Sequence, residues 1–299
     1  MYERYFHLEE RPFSLTPDPD FLFLSGSHRQ ALEHLLYGLE TGEGFIVITG
    51  DIGVGKTTVC RALLQKVSGA FSTALVLNPM LTEKELIRGI LDDFGVEAIH
   101  GTKKDCLDAL NRFLLAEAES GRCPVLIIDE AQNLSPGLLE QVRLLSNLET
   151  EKRKLLQIVL IGQKELRGML ALPSLRQLDQ RVTVRAEILP LTLKETSRYI
   201  DHRLGVAGGA GRTFLSSGAA RAIFRRSKGV PRRINMLCDR AFLSAYLRGG
   251  AEIGRKDVSR AEESLSDNPG MARRLWRLVA WVSHMDILLA ALAISGGIV

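Results

Sequence analysis

Two short stretches of this 299-residue chain could do chemistry together. Gly50-Asp51-Ile52-Gly53-Val54-Gly55-Lys56-Thr57 matches G-x-x-x-x-G-K-[ST]. Its glycines let successive backbone N–H groups wrap phosphate oxygens, Lys56 reaches the outer phosphates, and the Thr57 hydroxyl suits magnesium. A helix beginning near Thr58 adds its positive dipole end behind the loop. The second stretch, Val125-Leu126-Ile127-Ile128-Asp129-Glu130, is an apolar run ending in two adjacent carboxylates. Asp129 is suited to hold the magnesium shell, directly or through water. Glu130 is placed to orient and deprotonate an attacking water, which separates hydrolysis from mere binding. Alone, the acidic pair is a weak signal, since carboxylates end many strands because they are solvated there. Paired with the phosphate loop it implies ATP and Mg2+ as ligands.

These residues need elements to hold them. Leu32, Leu35, Leu36 and Leu39 fall at helical spacing, and Gly42 and Gly44 close that helix before the run Phe45 to Thr49, which reads as a buried strand. Further strand-length apolar runs appear at Ala74 to Leu77, Val125 to Ile128 and Ile158 to Ile161, between helical periodicities such as Leu86 to Phe94 and Leu138 to Leu148. The alternation implies a parallel sheet covered on both faces, with the acidic pair at its carboxyl edge. After Pro190 the strand runs disappear. Helical stretches at Leu193 to Leu204, Ser217 to Ser227 and Ile234 to Leu247 predict a small all-helical second domain, with Gly205 to Gly211 as a loop inside it.

With 45% hydrophobic and 25% charged residues, the composition is that of a folded soluble protein, not a disordered one. Cys60, Cys106, Cys123 and Cys238 lie too far apart to suggest a zinc site or a disulfide framework, which fits a reducing cytoplasm. Met1 to Phe13 mixes charges with aromatics and lacks the apolar core of a secretory signal. The net charge of +4 fits almost any partner, but basic residues concentrate late, at Arg225, Arg226, Lys228, Arg232, Arg233, Arg240 and Arg248, and again at Arg273, Arg274 and Arg277. A solvated helix face is the commoner explanation for the first cluster. His28 and His34 read as ordinary helix residues without a partner at metal-ligand spacing.

In their order along residues 1 to 265, these motifs resemble the AAA+ ATPases and, among them, the general secretion pathway protein A (ExeA-like) family. The resemblance rests on Tyr5-Phe6 with Arg11-Pro12-Phe13, Thr16-Pro17-Asp18-Pro19, Ala31 through Tyr37-Gly38, Gly44-Phe45 and Asp129-Glu130-Ala131-Gln132. It continues through Leu160-Ile161-Gly162-Gln163, Leu175-Arg176-Gln177-Leu178 with Gln180-Arg181, and Gly229-Val230-Pro231-Arg232 with Ile234-Asn235. It implies an α/β P-loop NTPase sheet with flanking helices over 1–189, including an N-terminal extension. A helical lid over 190–268 and a basic linker with a membrane-anchoring hydrophobic helix over 269–299 follow. It also implies a homo-oligomer with sites between subunits. Gln163 then resembles the sensor that positions water near the γ-phosphate, or is an ordinary strand-end glutamine. Arg181 resembles the arginine finger, with Arg176 and Arg185 as neighbours that could take that part. Arg232 resembles the second sensor on the lid, ahead of Arg233. Phe13 to Pro19 either packs near the adenine, or Phe13, Phe21 and Phe23 serve as core anchors.

Leu278 to Val299 is mostly apolar and as a helix would run about 33 Å, enough for a bilayer core. Its ten Leu, Ile and Val residues favour insertion by roughly 3 to 6 kcal/mol, from which Asp286 takes back roughly 2.5 to 3.5. Membrane attachment is the expectation, with the ATPase on the cytoplasmic face of the bacterial inner membrane by the position of Arg273, Arg274 and Arg277; a helix packed on the ATPase is the alternative. Members of the resembled family carry a periplasmic, peptidoglycan-engaging part after a membrane span. The chain stops at Val299, so either no such part was present or the sequence is a fragment. The leading expectation is an ATPase that drives assembly of a cell-envelope secretion complex. The alternatives are a DNA-associated AAA+ regulator of the transposition type, with Arg225, Arg226 and Arg233 on phosphates, and an ATPase for pilus or exopolysaccharide export.

Overall fold

The structure, a computed structural model, describes residues 1–265 except 17, 68, 70, 78–80, 98–100, 150–153 and 213. In chain order the elements are one helical turn, α1 (Tyr2–Tyr5), then α2 (Gly26–Glu40), β1 (Phe45–Gly50), α3 (Lys56–Val67), β2 (Thr73–Val76), α4 (Glu83–Asp93), α5 (Lys103–Glu119) and β3 (Val125–Ile128). They continue with α6 (Pro136–Leu145), β4 (Gln157–Gly162), α7 (Glu165–Leu170), α8 (Arg176–Arg181), β5 (Val182–Ile188), α9 (Leu193–Leu204), α10 (Ser217–Ser227), α11 (Pro231–Leu247) and α12 (Arg255–Leu265). They form two units, Leu22–Leu191 and Met1–Phe21 with Thr192 onward.

In the first unit all strands pair in parallel, in the order β2-β3-β4-β1-β5. The apolar runs are continuous because each strand feeds two cores. Phe45, Val47, Leu126, Ile128, Ile158 and Leu160 enter the core under α4, α5 and α6. Ile46, Ile48, Val125, Ile127, Val159 and Ile161 enter the opposite one, with leucines of α2 and α3. Burying each such side chain contributes about 1.5–3 kcal/mol, so the central strands hold the sheet rigidly. The order also positions the two motifs. It inserts β4 between β1, which carries the phosphate loop, and β3, which carries the acidic pair.

In the second unit the chain's first residues pack on helices α9 to α12. Tyr2, Phe6, Phe13 and Phe214 surround Phe242, which is fully buried, at ring separations of 5.1–6.0 Å. Arg203 ties the segment down, donating to the carbonyls of Pro12 and Ser14 while its guanidinium lies 4.6 Å from the Phe21 ring. Arg212 adds bonds to the carbonyls of Phe6 and His7. Buried Asp257 accepts from Arg248, Ser244 and the Gly254 N–H, joining α11 to α12.

Several expectations are revised. Residues 1–21 group with the helical unit and not with the sheet, because their aromatics complete the core around Phe242. Phe13 and Phe21 are buried there as anchors. Strand β5 was not foreseen: it is an edge strand whose Thr183 and Arg185 face solvent, so its apolar signal is broken. Helix α12 was also not foreseen, being mostly polar with Asp257, Val258 and Ala261 turned inward. The expected hydrophobic helix at Leu278 to Val299 lies outside the described residues. Among the described residues no helix is long and apolar enough to cross a membrane.

Candidate nucleotide site

Strand β1 ends at Gly50, and the chain turns through residues 51–55 into α3, which begins at Lys56, slightly earlier than expected. Gly55 adopts φ +101°, which a side chain would strain, and a Cβ there would stand 2.7 Å from the His28 ring. Backbone therefore lines this turn, as a cradle for phosphate needs. Val54 is buried at its centre, while Ile52 is exposed at the tip. Lys56 is 6% exposed, and its ammonium donates to the carbonyls of Gly50 and Asp51 at 3.1 and 3.2 Å. Burial lowers its pKa, against the opposing pull of Glu130 and Asp129, so an anion beside it would relieve a desolvated cation. Thr58 follows on the first turn of α3 and is half-buried.

Across the sheet, the Thr57 hydroxyl donates to Asp129 Oδ2 at 2.9 Å. A hydroxyl and a carboxylate in contact are the hard oxygen donors that Mg2+ prefers, and the phosphate cradle lies beside them. The residues present therefore fit a magnesium-bound nucleotide. Asp129 is 3% exposed, and its other oxygen accepts the Glu130 N–H at 2.8 Å. Glu130 has φ 51° and ψ 37°, left-handed values that a non-glycine residue holds only when its surroundings enforce them. Here they do. Its carboxylate accepts from Gln132 Nε2 at 2.6 Å and Gln163 Nε2 at 3.3 Å, and its carbonyl accepts the Asn133 N–H.

Gln163 reaches Glu130 because β4 lies between the two motif-bearing strands. Gln132 completes the bridge, accepting the Gln163 N–H on Oε1 at 2.8 Å. Gly162 makes room for it, since a Cβ there would meet Gln132 Oε1 at 2.9 Å. Lys164 then pairs with Asp51 at 3.0 Å, linking the turn after β4 to the phosphate loop.

The fold thus brings together Gly50 to Thr58, Asp129, Glu130 and Gln163. Arg181 donates instead to Ser146 Oγ and Asn147 Oδ1 at the end of α6. Arg185 pairs with Asp179, and Arg176 is exposed. Arg232 and Arg233 are exposed on the first turn of α11, in the other unit. Of the basic cluster, Arg226 is engaged with Glu262 and Ser259. Sequence reasoning missed two site residues. Gln132 entered only as part of a motif, although its position two residues after Glu130 was a usable signal. His28, which by sequence reads as an ordinary helix residue, is buried and 2.8 Å from the Val54 carbonyl. Nothing local in the sequence pairs positions 26 residues apart.

Comparison with known proteins agrees with this geometry. The family model described as "AAA domain" matches residues 39–170. General secretion pathway protein A of Aeromonas hydrophila is 46% identical over 267 residues, 89% of this chain and 49% of that protein, so the chain spans about half the length of this relative. Among solved structures, the Aeropyrum pernix ORC2 protein in its ADPNP–ADP complexes is similar with a TM-score of 0.63 at 16% identity, over 86% of this chain and 72% of that one. Cdc6p of Pyrobaculum aerophilum gives 0.64 at 19% identity, over 85% and 70%. The Thermotoga maritima RuvB Holliday junction branch migration motor gives 0.53 at 18%, over 82% and 73%. At these identities the solved structures speak for the fold alone. The sequence relative speaks for more: residues 39–170 match an AAA domain, and over 89% of its length this chain is similar to general secretion pathway protein A.

Proposed function

We propose that the protein hydrolyses ATP and that the hydrolysis serves assembly or operation of a bacterial cell-envelope secretion complex. The observation that carries the chemistry is the continuous network Thr57–Asp129–Glu130–Gln132–Gln163, which ties a magnesium-suited oxygen pair to a carboxylate fixed by two amides. Bound magnesium would neutralise phosphate charge. Thr57 and Asp129 would hold it, Lys56 and the loop N–H groups would bind phosphate, and Glu130 would orient water and take its proton, with Gln163 beside it.

The finer roles are part of the same reading. Subunits associate so that Arg181, released from Ser146 and Asn147, enters a neighbour's site; Arg176 and Arg185, both exposed, are the alternatives. Arg232 contributes from the lid as the second sensor. The role in secretion is supported by the name of the relative, and a place on the cytoplasmic face of the inner membrane by Arg273, Arg274 and Arg277 ahead of the apolar run Leu278 to Val299. Lys56→Ala is expected to abolish nucleotide binding, and Glu130→Gln to keep binding while turnover stops. Unchanged hydrolysis in Glu130→Gln would remove Glu130 from its role. Salt-sensitive DNA binding by a chain that stays in the soluble fraction would favour a DNA-associated regulator instead.

A further inference from the structure

His28 is 2% exposed, and both its ring nitrogens are engaged. The Ser25 N–H donates to Nδ1 at 3.3 Å, and the Ser25 hydroxyl lies 2.5 Å from the same nitrogen. Nδ1 is therefore an acceptor, and the ring proton sits on Nε2. From there it is donated to the Val54 carbonyl at 2.8 Å. Ser25 is the N-cap of α2 and also accepts the His28 N–H, so the ring is anchored to the start of a rigid helix.

The Val54 carbonyl and the Gly55 N–H belong to one peptide unit. Such a unit is planar and trans, so its C=O and N–H point in opposite directions. Holding the carbonyl against His28 turns the Gly55 N–H away from α2. The fit is close: Gly55 has φ +101°, and a Cβ on it would stand 2.7 Å from His28 Nε2. Free rotation of this peptide would point a carbonyl oxygen at a phosphate, which repels where the N–H attracts.

We propose that His28 is a positioning residue for nucleotide binding, its neutral imidazole locking the Val54–Gly55 peptide so that the Gly55 N–H faces the phosphate. This rests on the ATP-binding reading above. The test uses the full chain and three variants. In Gln the amide nitrogen is as many bonds from Cα as Nε2 is; in Asn it corresponds to Nδ1; Leu offers no donor. ATP and ADP affinities are measured by calorimetry, turnover is measured at saturating ATP, and thermal melts without nucleotide check that each variant is folded. His28→Leu and His28→Asn are expected to lose affinity about tenfold or more. His28→Gln should stay within about threefold of the parent, with saturated turnover preserved in every variant that folds. A simple packing role would instead lower melting temperature in all three without separating Gln from Asn. Equal affinities for the Gln and Asn variants, or a folded Leu variant that binds as the parent does, would overturn the proposal. Should His28→Leu not fold, the Gln and Asn pair decides. Absence of ATP binding by the parent chain would instead defeat the underlying reading.

Discussion

Gln132 offers a sharp test of how the site holds its carboxylate. It donates to Glu130 at 2.6 Å and accepts the Gln163 N–H at 2.8 Å, so one side chain spans the ends of β3 and β4. Gln132→Met keeps length and volume but removes both bonds. The bond to Glu130 is charge-assisted, and such bonds are worth about 1.5–3 kcal/mol. What remains on the carboxylate is the longer 3.3 Å contact from Gln163. Were that loss felt wholly in the alignment of Glu130 with its water, turnover would fall about 10-fold to 100-fold, since about 1.4 kcal/mol is a factor of ten. Nucleotide affinity should change less than about threefold, because the phosphate loop is untouched. The Gln163 N–H, half-buried, loses its acceptor at a cost of about 1 kcal/mol, a drop of about 2–4 °C in melting temperature. Steady-state hydrolysis, nucleotide titration and a thermal melt measure the three. Turnover within threefold of the parent would refute the reasoning. So would a loss confined to affinity, because Gln132 would then act on binding and not on Glu130.

Other expectations follow from the packing. Phe242→Ala removes the ring at the centre of the aromatic cluster and should cost about 3–5 kcal/mol, read by urea unfolding followed through tyrosine fluorescence. Asp257→Ala leaves the Gly254 N–H and Ser244 without their acceptor, and a loss of about 1–3 kcal/mol is expected in the same measurement. Glu117, bonded to Arg122 and Ser72, is held down to about 2 from an ordinary 4.5, chiefly by the Arg122 guanidinium. A depressed carboxylate stabilises the fold above its unfolded pKa and loses that contribution as pH falls through its folded one. The stability gap between parent and Glu117→Gln should therefore be full above about pH 5, shrink below 4.5 and close near 2; a gap independent of pH would show that the ion pair does not contribute.

Much of the site could be read in the chain because its demands are local. Consecutive N–H donors require the glycine spacing of residues 50–57, and a carboxylate at a strand end requires only an apolar run before it. The central strands were legible for a related reason: β1, β3 and β4 feed cores on both faces, so every position is apolar. β5 was hidden because an edge strand leaves alternate residues in water. Likewise α12 buries too few residues to mark itself.

By itself, then, the sequence determined that a phosphate loop and an acidic strand end exist and what ligands they suit. Tertiary structure alone decided what surrounds them. Placing β4 between β1 and β3 carries Gln163 to Glu130, and the left-handed turn at Glu130 aims its carboxylate at Gln132. Folding α2 beneath the loop sets His28 against Val54. Strand order and helix placement depend on how two cores close around a sheet, a property of the whole unit that no local spacing encodes.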